Sequence, residues 1–490
     1  MRRTLPIAAL LLVAAAFHAR SEERSPLTRE TLGGIIKEAY VGDPMLACRV
    51  MDDVLRGVDV AALPDDVRAM TDGAVVIVMT SCGRNEDALV AARRLVVADP
   101  SWQNVGMLAY LALQTKHYEE AGDALVRVAR EWPGNVNRRH LEMAWLLHDE
   151  LRDSPDAQRA QLQRLFDAGF DPVDGRASGL WLELVRLHLD AGDIPRARAA
   201  SSRVDGVASA VAMRIDRRFD PLTAADPSLA DIRVQGQRAL AAVRAKAGKR
   251  PNDIALQYEM VDAHLMLGEH AEVDALVTAM TDMIGKPGER ELVGFDQRSR
   301  MLLARATMHR RNGNTQGILE DAEMASLLTD AEYYDMGKVR LAGTLCHLRR
   351  TKEAAAAIDH EPDASDWLQQ VQRLQRVCIA VNEGDITTAK AHLAQLREEA
   401  DISTISLLLG GQLFIEDVEG AAATYIAMLT NPATRIEALE YAQRDRNPPL
   451  LPGEEAHERA FQKMRDRDDV KAAIEKVGRV ETWDIFIGYD

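Results

Sequence analysis

The sequence predicts an all-α array of stacked helical hairpins, and three observations predict it. A two-helix pattern occurs twice between Val75 and Pro133 with a fixed period: Ala88 and Ala121 lie 33 residues apart, and so do Pro100 and Pro133. A period in the low thirties, with a small residue at a helix crossing and a closing proline, marks hairpins that bury their apolar faces on one another. A Gly-Asp pair recurs at turns, as Gly42-Asp43, Gly192-Asp193 and Gly384-Asp385, with Gly313-Asn314 and Gly268-Glu269 as looser copies. Glycine ends one helix in the left-handed conformation and a short polar residue caps the next. Aromatic residues make up only 5% of the chain and alanine is frequent, which suits helices that pack closely.

A repeat array has no single core, so the length of 490 residues does not set a domain count. A hydrophobic content of 47% with 28% charged residues is that of a folded, soluble chain. The net charge of −16 argues against nucleic acid or an anionic membrane surface as the main partner, because both repel an acidic surface.

In chain order, residues 1–19 read as a secretory signal peptide. Arg2 and Arg3 precede the apolar run Leu5 to Phe17, about 13 residues and too short to span a bilayer. Ala14 and Ala16 allow cleavage after Ala16, with Ala19 as a second position, and an uncleaved anchor helix is the other reading. No cysteine follows the run, so a lipid anchor is not expected, and no later segment is long and apolar enough to cross a membrane. The expected location is periplasmic or secreted. Four cysteines remain, Cys48, Cys82, Cys346 and Cys378. In an oxidising compartment their spacing permits the pairs Cys48–Cys82 and Cys346–Cys378, and buried free thiols are the alternative.

Residues 28–201 form a first array, in which Thr28 to Tyr40 and Pro44 to Arg56 are helices, with Asp43 as cap and Pro44 at the first helical position. Between 202 and 252 the period is lost. Pro221, Pro227 and Pro251 punctuate this stretch around one helix, Ser228 to Lys246, so it is a divergent repeat or a hinge. Residues 253–435 resume the pattern as a second array. Residues 436–490 hold capping helices, a proline-rich loop Asn447 to Gly453, helices over Glu454 to Arg467 and Asp469 to Val477, and a tail with Trp483, Phe486, Ile487 and Tyr489. The tail is expected to cap the last helices, with partner docking as the rival reading.

These segments resemble tetratricopeptide repeats. Trp181-Leu182-Glu183-Leu184, then Val185, His188 and Ala197, follow that family's first-helix and second-helix order, with valine for its glycine and histidine for its tyrosine. Tyr118, Ala121, Leu125 and Pro133 match its second helix. The small second-helix position falls on Ala47, Ala88, Ala121, Ala197, Ile318, Ala354, Ala389 and Ala421, with Val273 a poorer match and Ala160 a doubtful one. The resemblance implies a right-handed α-α superhelical solenoid of about ten hairpins. Its first helices would line a concave binding groove, presenting Tyr110, Trp145, Arg186, Tyr258, Asp262, Arg310 and Arg311. Aromatics and arginines are the usual anchors of such grooves. The family's Lys/Asn carboxylate clamp is not reproduced: its positions hold Gly106 and Tyr110 in one unit, Leu182 and Arg186 in another.

No nucleophile elbow, phosphate loop, HExxH or deaminase motif is present in the sequence. Neither a cofactor nor a metal is expected. His188, His264 and His309 occupy the slot where the family often has tyrosine and read as packing residues. Met260, His264, Met266, His270, Met280 and Met283 read as core filling rather than a copper site. The expected function is that of a non-enzymatic exported scaffold or adaptor binding a protein or peptide segment in the bacterial cell envelope. The alternative is a component of exopolysaccharide export or secretion that engages glycan or a synthase complex.

Overall fold

The computed structural model describes residues 28–56, 58–284, 286, 292–294, 297–328, 334–359, 366–443, 448–483 and 485. The signal-peptide stretch and Phe486, Ile487 and Tyr489 of the tail lie outside them. The chain divides between Leu180 and Trp181 into two compact units. In the first, helices follow in the order α1 (Arg29–Val41), α2 (Pro44–Leu55), α3 (Asp65–Ser81), α4 (Asn85–Ala98), α5 (Trp102–Gln114), α6 (Tyr118–Glu131), α7 (Arg138–Glu150) and α8 (Pro155–Asp167). Helix α9 (Ser178–Asp190) carries the division near its start. The second unit continues with α10 (Ile194–Ser201), α11 (Val207–Ile215), α12 (Asp220–Thr223), α13 (Ile232–Ala247), α14 (Ile254–Met266), α15 (His270–Thr281), α16 (Arg298–Arg311) and α17 (Thr315–Leu327). After these come α18 (Tyr334–His347), α19 (Thr351–Ala357), α20 (Asp366–Asn382), α21 (Ile386–Glu399), α22 (Ile405–Phe414), α23 (Val418–Thr430), α24 (Arg435–Tyr441), α25 (Glu455–Arg465) and α26 (Asp468–Val477). The array of helical hairpins expected from the sequence is what both units contain among the described residues. The division falls inside the stretch 28–201, and the aperiodic stretch 202–252 lies wholly within the second unit.

The interhelix turns share one hydrogen-bond pattern. At Gly192 (φ +74°) the N–H donates to the Leu189 carbonyl at 2.9 Å, and the Asp193 N–H donates to the His188 carbonyl at 2.8 Å. These two bonds satisfy carbonyls that a helix end would otherwise leave bare. Gly268, Gly313 and Gly384 repeat the pattern, all with positive φ. Asp193, Asn314 and Asp385 then cap the next helix, accepting from the N–H groups of Arg196, Gly317 and Thr388 at 3.1, 3.1 and 3.0 Å. Three further turns reach the same geometry without glycine, at Lys116 (φ 62°), Arg349 (φ 59°) and Glu416 (φ 57°). Two expectations need correction. Gly42 has φ −109° and is not left-handed, although Asp43 does cap α2 by accepting from the Met45 N–H at 2.9 Å. Glu269 makes no capping hydrogen bond, its carboxylate being taken by His264 instead.

Each turn sets the register of the second helix. The fifth residue after the turn is the fourth residue of that helix, and it sits in the helix crossing. Ala88, Ala121, Ala197, Val273, Ile318, Ala354, Ala389 and Ala421 all occupy this place and are buried, as is Ala47 in α2. The exception is α8. Ala160 is exposed, and the fourth residue there is Gln158. Its buried amide donates to the His148 carbonyl at 2.8 Å, so a polar side chain is tolerated because it is satisfied.

Charged staples reinforce the hairpins. Arg94 on α4 reaches the fully buried Asp72 on α3 at 2.5 Å, and Arg305 on α16 holds the buried Asp321 on α17 through two bonds of 2.6 and 2.9 Å. Removing one member of such a pair strands a buried charge. All four cysteines are joined, Cys48 to Cys82 and Cys346 to Cys378, with Cα separations of 6.6 and 6.3 Å. In the chain-entropy account each closes a loop worth about 3 to 4 kcal/mol.

The turn geometry yields a stability prediction. Lys116→Gly should raise stability by about 1 kcal/mol, because lysine is held in a conformation that glycine adopts without a Cβ clash, and Gly192→Ala should lower it by a similar amount. Urea midpoints check both, and a lowered midpoint for Lys116→Gly would contradict the left-handed turn.

Candidate binding edge

The seven residues expected to line a groove meet different fates. Tyr110 and Trp145 lie in the first unit, both half-buried. The Trp145 ring stands edge-on to His148, 5.7 Å between centres, and its Cζ2 would sit 2.9 Å from a Cβ at position 179, which is why glycine occurs there. The other five lie in the second unit. Tyr258 is half-buried beneath the Arg300 guanidinium, 4.9 Å from the ring centre, and Asp262 is half-buried one turn further along α14.

Arg186 and Arg311 are not groove anchors. The Arg186 side chain is 7% exposed, with Nη2 2.6 Å from Glu183 and Nη1 3.3 Å from Asp190. Asp190 also faces Arg218, which holds the buried Asp216 at 2.6 Å. Arg311 is buried and donates from Nη1 to the Leu265 carbonyl at 3.1 Å, tying α16 to α14. Both guanidiniums satisfy internal acceptors, a role that residue type and helix position cannot distinguish from display to a partner.

Arg310 does meet a non-helical segment, and the segment belongs to the chain itself. Its Nη1 donates to the Pro449 carbonyl, and its Nη2 donates to Glu454 Oε2 at 2.5 Å. Residues 448–454 run along the row of interhelix turns. The would-be Cβ of Gly313 lies 3.1 Å from the Pro449 ring. Arg349 Nε donates to the Pro452 carbonyl at 3.0 Å, and the Gly453 N–H donates to the His347 carbonyl at 2.6 Å. Glu454 folds the strap by accepting from the Leu451 N–H at 2.7 Å. A Cβ on Gly453 would come within 2.8 Å of the Cys346 and His347 carbonyl oxygens, both rigid backbone atoms.

Beyond the strap the chain stays on the same unit. His457 on α25 packs on Phe414, 4.8 Å between ring centres, and Phe414 also meets His347 at 5.8 Å. Ala460, Met464, Val470 and Ile474 enter a core with Tyr425 and Met428 of α23. Residues 478–483 then reach the end of α11. The Arg479 N–H donates to the Ile215 carbonyl at 2.9 Å and its guanidinium holds Asp220 at 2.6 and 2.8 Å. Trp483 is buried beneath Arg214 and donates to Gln443 at 3.2 Å. The described part of the tail therefore packs on α11 as well as on the end of the last repeat. The stretch that loses its period is the platform receiving the chain's end.

Burial pushes the His457 imidazole down to about 4, with His347 adding to the effect. Burial also lowers His347; Glu454 at 3.4 Å opposes this and Arg310 reinforces it. The two rings are therefore neutral where α25 meets the turn edge.

The sequence reading missed Gly313, His347, Arg349, Pro449, Gly453 and Glu454 as contact residues. The proline-rich run from Asn447 was the available signal, but it reads as a linker when nothing shows what it lies against. No family model and no curated protein matches the chain. Among solved structures it is similar to a monomeric mutant of IFIT1 with Gppp-AAAA, at 12% identity and a TM-score of 0.33, covering 88% of this chain and 90% of that one. It is also similar to the APC/C hetero-tetramer Cut9-Hcn1, at 10% identity and a TM-score of 0.25, covering 92% of this chain and 98% of that one. The helical-hairpin character of the array rests on its own turns and crossings.

The histidines give the edge a pH dependence. Their folded pKa values lie below the ordinary value of 6.5, so the folded form binds fewer protons than the unfolded chain. The neutral rings contribute fully above pH 6.5, and their contribution is lost as pH falls from there toward 4. Amide exchange across 448–465 should quicken over that window in the wild type and less steeply in His457→Gln. An identical pH profile for the two would remove His457 from the account.

Proposed function

We propose that this chain is an exported, non-enzymatic scaffold that holds a protein or peptide segment in the bacterial cell envelope. The observation that carries it is the turn edge of α16–α19, which already grips a non-helical segment through two backbone carbonyls, a glycine and a carboxylate. These are the contacts of peptide recognition, in which main-chain bonds give affinity and a few fitted positions give specificity. Export is supported by the charged-then-apolar N-terminus and by the pairing of all four cysteines, since disulfides persist in oxidising compartments. No helix among the described residues is long and apolar enough to cross a membrane.

The test is a photocrosslink in living cells of a Gram-negative host, with thiols blocked before lysis. Benzoylphenylalanine replaces Asn312 beside the strap in one variant and the exposed Glu320 in another. One envelope protein joined through position 312 and not through 320, on a chain recovered from the periplasm without free thiols, is the expected result. A reduced, cytoplasmic chain would end the export reading. A periplasmic chain that joins no protein from either position would end the scaffold reading, and glycan would become the next ligand class to test.

A further inference from the structure

We infer that the turn edge is a recognition site for a proline-containing segment that ends in a Pro-Gly-Glu turn, and that residues 448–454 are its resident occupant, displaced by a partner segment of the same chemistry. The inference deepens the scaffold reading and rests on it.

Four features separate this contact from ordinary closure of a core. The strap contributes little apolar burial, since Leu450 is 51% exposed, Pro449 and Pro452 are exposed, and Leu451 alone is buried. The bonding is directed at positions that can accept but not donate. Pro449 and Pro452 lack an N–H, and their carbonyls are taken by Arg310 and Arg349. The segment then folds into a turn with Pro452 at its second position, the Glu454 N–H donating to the Leu451 carbonyl at 3.0 Å. Next, position 453 accepts only glycine, because two fixed carbonyl oxygens lie 2.8 Å from any Cβ there. Finally, the edge supplies the Arg310 cation and the strap supplies Glu454, a complementary pairing that sets register.

The array also bears a backbone cost at this place. Most of its left-handed turn residues are glycine, but Arg349 holds φ 59° as an arginine, and it is the Arg349 side chain that reaches the strap. Such a conformation costs a non-glycine residue roughly 1 kcal/mol or more, a strain that persists where the side chain is used. A tethered strap acts at high effective concentration, so a free segment binds weakly until the strap is weakened.

The probe is a fluorescein-labelled peptide, Asn-Pro-Pro-Leu-Leu-Pro-Gly-Glu-Glu-Ala, with the sequence of residues 447–456, followed by anisotropy against the full chain. Gly453→Ala expels the strap from within, because the added Cβ meets backbone. That variant should bind the peptide roughly tenfold or more tightly than the wild type does. The same peptide with alanine for its glycine should bind neither protein. Arg310→Glu added to Gly453→Ala should abolish binding, and a peptide with arginine for its first glutamate should restore it. Circular dichroism reports folding, and amide exchange over 448–454 reports release of the strap. If Gly453→Ala does not fold, Glu454→Ala is read in its place by the same criteria.

Three results would overturn the inference: a strap that stays protected in the folded variants, a released strap with no gain in peptide binding, or equal binding of the glycine and alanine peptides. A monomer-to-dimer shift in light scattering on Gly453→Ala would name a second copy as the occupant and overturn it too. Failure in any of these ways leaves the scaffold reading standing wherever the crosslink at position 312 recovers a partner.

Discussion

The left-handed residue between paired helices is the constraint on which the rest of the array depends. It closes the first helix through two carbonyl bonds, aims the next residue as a cap, and fixes which side chain enters the crossing five residues later. Gly192, Asp193 and Ala197 show the full sequence of consequences, as do Gly384, Asp385 and Ala389. Lys116 leads to Ala121 with the same spacing although no glycine is present. The constant quantity is therefore a backbone geometry, and residue type follows it only where nothing else compensates. At α8 even the small side chain is exchanged, for a buried glutamine whose amide finds a carbonyl.

That difference explains how much of the fold could be read from sequence. Glycine at a positive φ and alanine in a crossing are choices forced by local sterics, so the turns at 192, 313 and 384 and the buried alanines were legible. The turns at 116, 349 and 416 were not, because lysine, arginine and glutamate carry no signal of a left-handed backbone. Arg349 meets the strap, and Glu416 approaches Lys463 of α25 at 3.9 Å. The candidate site was less legible still. Arg310 and Arg311 are neighbours on one helix end, about 100° apart around its axis. That rotation turns one toward the Leu265 carbonyl and the other toward a segment some 140 residues further on. No pattern in the sequence ties Arg310 to Glu454, and an arginine with an internal partner looks the same as one without.

The loss of period between 202 and 252 and the extra helices after 435 answer one problem. A stack of hairpins leaves apolar faces at its ends, which most arrays cover with a polar outer surface. In the second unit the last repeat is covered by α25 and α26, and the chain then passes onto α11. Val207, Val211 and Ile215 share a core with Leu439, Ile474 and Trp483. The bridge between Asp216 and Gly478 and the ion pair between Arg479 and Asp220 fix the approach. A platform must present a side chain face rather than a repeat's turn and crossing, so the repeat pattern has to be abandoned where the platform is built.

This arrangement decides which part of the C-terminal region can move. Helices α25 and α26 contribute Ala460, Met464, Val470 and Ile474 to the core, none of them more than 4% exposed. At about 25 cal/mol per Å² of apolar surface, burial on that scale holds the two helices through local fluctuations. The strap before them has one buried leucine and otherwise polar contacts, each worth only about 1 to 3 kcal/mol net of the water bonds it replaces. Segments with few apolar contacts open at far lower free energy than the body they are attached to. Residues 448–454 can therefore leave the edge while Gln443 behind them and α25 ahead of them stay in place. The edge is uncovered without any loss of the core, and the tethered strap remains at hand to compete for it.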